Sequence, residues 1–282
     1  MMFEFLKRLY VKKNSIFYSV IKNNKNNNII AFGREKYNNY GIIQIQLDKN
    51  FNIIKEYSST FNGEDPRCFY YNNQLYIQDN YFNNMHLINY NTNKYISINI
   101  FKKNINLDNI NIFNNNINIK NSNYISNISG KNISFFTHKN KLYFIHYMKP
   151  FKLFNFDIES GISTEIEVDN RYESNYEYRG GTPGYKLNET TYYGFGHRTY
   201  EENDLLKHDI FKWILYFEDN KKPRILIIDI EQPLNSKNIC DPTSVIKIDN
   251  QLYLITAESE YSWFCEQDYI TNIYKIIGNI LD

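Results

Sequence analysis

Two short boxes set carboxylates beside a proline where strand-like runs begin. One is Gly63-Glu64-Asp65-Pro66-Arg67, the other Cys240-Asp241-Pro242-Thr243. Carboxylates placed this way supply proton-transfer chemistry, and a neighbouring arginine binds an anion or sugar hydroxyls. Proline fixes the backbone and donates no hydrogen bond, so it fits the first position of a strand. An Asp–Arg pair here serves equally as a structural ion pair, so the box alone leaves both roles open. A third box, Arg179-Gly180-Gly181-Thr182-Pro183-Gly184, precedes Tyr193-Gly194-Phe195-Gly196-His197-Arg198. Consecutive glycines let backbone amides approach a ligand, and Arg179 can grip phosphate or carboxylate with two donors. Neither Walker nor GxGxxG spacing is met, which argues against a nucleotide-binding loop. Lys131-Asn132 open a further strand-like run, Arg34 ends one and Glu258 ends another.

The elements that must position these groups recur along the chain. Asp65-Pro66-Arg67-Cys68-Phe69-Tyr70-Tyr71-Asn72-Asn73-Gln74-Leu75-Tyr76-Ile77 is echoed by the run from Asp241 to Leu254. Further copies run from Ser134 to Phe144 and from Thr182 to Gly194, and a weak one opens at Ile16. Hairpin signatures trail these copies at residues 42–54, 85–98, 152–167 and 210–227, where alternating apolar residues flank turn residues. Copies of roughly 40–50 residues, each reading as a small antiparallel sheet, predict an all-β, five-bladed β-propeller formed by the single domain 1–282. The Asn-rich stretch 102–127 reads as a long connection between the second and third blades, and residues 201–209 as a short helix or lid loop. Asp65, Lys131, Arg179 and Asp241 fall at or near inner-strand starts, whereas Arg34, His197 and Glu258 follow second strands. A solvated outer face would not keep that register, so these side chains are expected to converge in one funnel.

Composition narrows the class. Aromatic residues make up 17% of the chain, which favours strands over helices. The formal net charge of +1 gives no electrostatic case for nucleic acid or an anionic membrane as partner. Three cysteines without CxxC spacing argue against a disulfide scaffold or a structural zinc. No apolar run matches a signal peptide or spanning helix, so a cytoplasmic setting is expected.

In order, the boxes resemble the five-bladed propeller glycosidase superfamily, in particular the inverting β-mannoside phosphorylases and β-1,2-mannosyltransferase/phosphorylases. The matching residues are Arg34, Glu64-Asp65-Pro66-Arg67, Lys131-Asn132-Ile133-Ser134-Phe135-Phe136, Arg179-Gly180-Gly181-Thr182-Pro183, Tyr193-Gly194-Phe195-Gly196-His197 and Glu258. The resemblance implies inverting transfer of a mannosyl unit, with Asp65 as the acid and Lys131, Arg179 and His197 on phosphate. It places Arg34, Glu64, Arg67, Asn132, Thr182, Asp241 and Glu258 around the sugar. It implies a glycan partner, with inorganic phosphate, a sugar phosphate or a nucleotide sugar as co-substrate, and no metal or organic cofactor. Ile133 and Ser134 replace the usual Trp and its neighbour, Gly130 stands where an acid is frequent, and Glu258 where Asp is common. These departures leave an inverting hydrolase and a non-catalytic sugar-binding propeller as alternatives. Arabinanase-like propellers, the other five-bladed group, carry an Asp on the first inner strand as base, and Ser15-Ile16-Phe17-Tyr18 offers none.

Overall fold

The computed structural model describes residues 1–11, 15–23, 28–35, 41–57, 61–81, 84–92, 94–99, 119–125, 132–159, 162–169, 177–230, 238–260 and 269–281. All regular structure in these residues is β, as the aromatic and β-branched content predicts. Among them there is no helix, and hence none long and apolar enough to cross a membrane.

The N-terminal strand β1 (Met2–Leu9) is followed by antiparallel meanders. The first holds β2 (Ser15–Lys22), β3 (Ile29–Glu35), β4 (Gly41–Leu47) and β5 (Ile53–Glu56), with the two-residue β6 (Phe61–Asn62) also on β4. Next come β7 (Glu64–Tyr71), β8 (Gln74–Tyr81), β9 (Asn84–Asn89) and β10 (Lys94–Asn99). Of the Asn-rich connection, only 119–125 is described. It forms β11 (Ile119–Ile125), which lies parallel to β10. The strands β12 (Ser134–His138), β13 (Lys141–Tyr147), β14 (Lys152–Asp157) and β15 (Ile162–Ile166) make a four-stranded sheet. After them β16 (Glu177–Arg179) and β17 (Tyr185–Lys186) both pair with β18 (Thr191–Glu202), which leads to β19 (Leu205–Tyr216) and β20 (Arg224–Asp229). The chain ends with β21 (Ile239–Ile248), β22 (Gln251–Ser259) and β23 (Ile270–Ile277), and β1 pairs antiparallel with β23. One parallel bridge, His208 to Ile239, joins the last two meanders and β1 into a nine-stranded sheet. No sheet closes on itself among the described residues.

Tight turns set the register. Asn72-Asn73, Lys139-Asn140 and Asn203-Asp204 all have positive φ at both positions, the geometry of a two-residue hairpin whose twist matches its strands. The last of these corrects the reading of 201–209 as a helix or lid loop. Asn203-Asp204 is the tip of a hairpin whose arms, β18 and β19, each run twelve residues. His197 therefore lies within β18 rather than at its end.

Apolar clusters fill the gaps between successive meanders. Ile30, Phe32 and Ile42 meet Cys68, Ile77 and Ile88. Phe69 and Met85 meet Phe135, Phe144 and Phe156, with Phe69 and Phe135 stacked at 4.7 Å. Phe136 and Ile145 meet Tyr192 and the fully buried Trp213. Phe195 and Ile214 meet Leu254 and Tyr274. Ile246, Ile255 and Ile273 return to Tyr18, Val20 and Ile43, so the last meander packs on the first. Side-chain oxygens tie first strands together across these gaps: Cys68 N donates to Ser19 Oγ at 3.1 Å, and Val20 N to Ser244 Oγ at 2.9 Å.

Close approach fixes the glycine box. A Cβ on Gly180 would lie 2.1 Å from the Asn132 carbonyl oxygen, a contact that backbone must shift to relieve. Gly180→Ala is expected to cost about 2–4 kcal/mol, read as the change in unfolding free energy in urea. A loss under about 0.5 kcal/mol would show that the two first strands are not packed this closely.

Candidate active site

Three first strands, β2, β7 and β21, begin with β-bulges, and the bulges aim the functional side chains. Glu64 pairs with Asn80 and Arg67 with Gln78, so Asp65 and Pro66 share the space opposite Asp79. Asp65 takes φ 49° there. The first meander repeats this geometry: Ile16 pairs with Arg34 and Ser19 with Phe32, leaving Phe17 in the bulge at φ 56°. Positive φ is costly for a bulky aromatic, and bulges next to functional sites re-aim side chains. Phe17 thus occupies in the first meander the place that Asp65 holds in the second. Asn132, just before β12, has φ 65°.

The two Asp-Pro boxes are not structurally equivalent. Asp241 pairs with Ala257 and Pro242 with Thr256, and the extra residue is Thr243. Asp65 is a bulge residue, whereas Asp241 sits in the ladder.

The structure brings one group of predicted residues together at these strand starts. Arg34 Nη1 lies 3.5 Å from Asp65 Oδ1 and 3.9 Å from Glu64 Oε2, with its guanidinium over the Phe17 ring at 5.2 Å. Phe17 also packs on Tyr269 at 4.8 Å. The buried Asp65 Oδ1 accepts no hydrogen bond. Arg67 is 2% exposed and spends its donors on backbone: Nε on Gly181 O at 2.6 Å, Nη1 on Pro66 O at 3.0 Å and Asp65 O at 3.2 Å. Burial disfavours its charge, and the carboxylates of Asp65 and Asp241 oppose that effect without cancelling it.

The second group centres on Asp241. His208 Nδ1 lies 2.7 Å from Asp241 Oδ1, and His197 Nδ1 lies 3.5 Å from the same oxygen. His197 pairs with Ile210 and His208 with Thr199, two positions along the hairpin on the same face, and the two rings stack at 4.7 Å. Burial pushes Asp241 up, but His208, His197 and Arg67 outweigh it and hold the carboxyl well below the usual range. Burial pushes His197 down to about 3, reinforced by His208, Arg179 and Arg67 and opposed by Asp241. His197 is therefore a neutral imidazole at ordinary pH, able to share a hydrogen bond with a ligand but not a charge. Arg179 pairs with His197 across β16 and β18 and is half-buried.

The remaining predicted residues are placed as follows. Glu258 is 1% exposed, and its carboxylate accepts from Thr256 Oγ1 at 2.5 Å and Asn272 Nδ2 at 2.9 Å. Burial pushes its pKa up, against hydrogen bonds from Thr256, Tyr274 and Asn272. Thr182 is fully buried, and its Oγ1 accepts from Phe195 N at 2.9 Å. Asn132 is half-buried with its carbonyl against Gly180. Lys131 lies outside the described residues.

Sequence reasoning missed His208 and a buried pair, Asp79 and His86, whose Oδ1 and Nδ1 are 2.9 Å apart. Burial pushes Asp79 up while His86 opposes it. The signal for His208 was the pattern around Asn203-Asp204, which as a hairpin turn returns it to the level of His197. Cys68 and Cys240 are buried free thiols, and burial pushes Cys68 up to about 12, which leaves it unreactive.

His197, His208 and Asp241 each offer a ligand atom within 4.8 Å of the others. Two imidazoles and a carboxylate suit a transition-metal ion rather than a hard oxygen-seeking cation. The Arg67 charge close to Asp241 works against any cation there.

The same cluster makes stability pH-dependent. The His197 pKa is lower folded than unfolded, where it is near 6.5, so below that pH the unfolded chain binds the extra proton. Stability is full above about pH 6.5 and falls on acidification, by on the order of 1.4 kcal/mol per pH unit for this one proton. The depressed Asp241 adds a loss of the same sign below about pH 4. Unfolding followed from about pH 8 to about pH 4 should show a flatter profile for His197→Gln than for wild type. Equal slopes would contradict this account of His197.

No family model matches the chain, and no curated protein matches it in sequence. Solved structures do match in shape. A GH43 β-xylosidase/α-arabinofuranosidase from a compost microbial metagenome superposes at TM-score 0.59 with 8% identity, covering 99% of this chain and 96% of its own. An endo-arabinase from Bacteroides thetaiotaomicron gives 0.56 at 11% identity, with 98% and 99% covered. An exo-β-1,3-galactanase from Phanerochaete chrysosporium gives 0.60 at 8% identity, with 97% of this chain and 64% of that one covered. The chain therefore has the all-β fold of these glycoside hydrolases.

Proposed function

We propose that the chain is a five-bladed β-propeller whose funnel, at the starts of the first strands, is the active site of an inverting glycoside hydrolase. Cyclic packing of the apolar clusters and the pairing of β1 with β23 support the propeller reading. The observation that carries the function is the convergence of Glu64, Asp65 and Asp241 on Arg34 and Arg67. These carboxylates come from two different meanders.

Inversion needs an acid and a base flanking one sugar, about 6.5–9.5 Å apart to admit water. Asp65 is assigned as the acid: its Oδ1 is buried, accepts no hydrogen bond, and is oriented by Arg34. Asp241 alone is too strongly held in its ionised form to be a good base. With His208 it forms a carboxylate–imidazole dyad, in which the carboxylate fixes Nδ1 as donor and makes Nε2 the basic nitrogen. The dyad replaces the carboxylate that Phe17 displaces from the first meander. Arg179 and Lys131 are assigned to polar groups of the substrate, with His197 as a neutral hydrogen-bonding partner.

Hydrolysis is preferred to mannosyl phosphorolysis because the fold's relatives named above are hydrolases acting on pentose and galactose polymers, and none supports a phosphate or nucleotide-sugar donor. The test is a panel of xylo-, arabino-, galacto- and manno-oligosaccharides, each incubated with and without phosphate. Free sugar released without phosphate is expected. Sugar 1-phosphate formed only with phosphate would restore the phosphorylase reading. Binding without any product would make the protein a sugar-binding module.

A further inference from the structure

The same first strands that open on the funnel end at a second cavity. It measures about 340 Å³, a size suited to a small ligand. Its lining draws on every meander: Lys22 from β2, Tyr70 from β7, Phe136 from β12, Tyr185 and Lys186 from β17, and Lys247 from β21. Tyr70 lies five residues beyond Asp65 on β7, about 16 Å along an extended strand. Between the two openings the first strands are sealed by the Arg67–Gly181 and Ser19–Cys68 hydrogen bonds. The cavity is thus on the face opposite the funnel.

Its charge is one-sided. Three lysines line it and no Asp or Glu does. Lys186 is held by Glu189 at 2.8 Å, but among the described residues Lys22 and Lys247 have no acidic partner. Other described lysines, among them Lys141, Lys152 and Lys275, also lack a carboxylate partner, so what sets Lys22 and Lys247 apart is that they line one cavity. An anion seated in the cavity would have both lysines on its wall. Tyr70, Phe136 and Tyr185 supply aromatic wall beside the lysines.

We propose that this cavity is a second binding site, for a small phosphate-bearing anion, with Lys22 and Lys247 as its charge partners. It is independent of the hydrolase reading, because no residue assigned to the funnel contributes to it. The test is calorimetric titration of the full chain with pyrophosphate and with inorganic phosphate at low ionic strength. Pyrophosphate should bind more tightly than phosphate, and binding should weaken with added salt. Lys22→Gln with Lys247→Gln, which keeps side-chain bulk, should weaken pyrophosphate at least about tenfold. Lys49→Gln, at an exposed turn, and Arg179→Ala, in the funnel, should leave it unchanged. If the double variant does not fold, Lys247→Gln alone, at an exposed position, carries the comparison. No binding by wild type, undiminished binding by the lysine variants, or loss in Arg179→Ala instead would each overturn the proposal.

Discussion

Asp65→Asn is expected to lower glycoside turnover by about 10²–10⁴-fold, the usual contribution of a positioned acid, while leaving sugar affinity nearly unchanged. The substitution is chosen for its backbone as well as its chemistry. Asp65 has φ 49°, and asparagine accepts the left-handed region at least as readily as aspartate. The bulge should survive, Pro66 should still set the strand entry, and Arg67 should keep its bonds to the carbonyls of Asp65 and Pro66. Only the ionisable carboxyl beside Arg34 is lost, replaced by an amide that gives up no proton at neutral pH. A loss confined to KM would mean that Asp65 binds sugar without donating a proton. Wild-type turnover would remove Asp65 from the mechanism and move suspicion to Glu258, whose pKa burial pushes up.

The second large effect is expected from His208. His208→Gln should reduce kcat by on the order of 10²-fold, because the proposed dyad loses the nitrogen that accepts a proton from water. KM should stay close to the wild-type value, because the base acts on the attacking water rather than on the bound sugar. Asp241→Asn should share the kinetic defect by unfixing the imidazole, and should also cost about 1–3 kcal/mol of stability because the buried carboxylate anchors the half-buried His208. Wild-type kcat in His208→Gln would show that the base lies elsewhere.

The amino-acid sequence made the local architecture readable. Asn72-Asn73 and Lys139-Asn140 gave away their hairpins, and the alternating runs at 42–47 and 152–157 became β4 and β14. Asp-Pro boxes marked real strand starts. What it hid was everything decided between meanders. The Asp65 and Asp241 boxes look alike, yet a bulge shifted by a residue or two puts one in an unpaired kink and the other in the ladder. Arg67 reads as a ligand-binding arginine, but its contact with Gly181 lies 114 positions away in the chain. Thr182 likewise spends its hydroxyl on Phe195 in the interior. His208 was lost because Glu201 to Asp209 is rich in charge, and charge there resembles a solvated helix or loop when the hairpin register is unknown. Asn-rich composition blurred the rest, since asparagine marks true turns and ordinary strand positions alike.

The most direct measurement is a crystal structure of Asp65→Asn soaked with an oligosaccharide that the wild type cleaves. The account predicts a sugar in the funnel, with the bridging oxygen within hydrogen-bond reach of the residue 65 side chain or one sugar hydroxyl from it. A water should lie on the opposite face of the ring, in contact with His208. A sugar bound elsewhere on the protein, with neither residue 65 nor His208 touching it, would contradict the account.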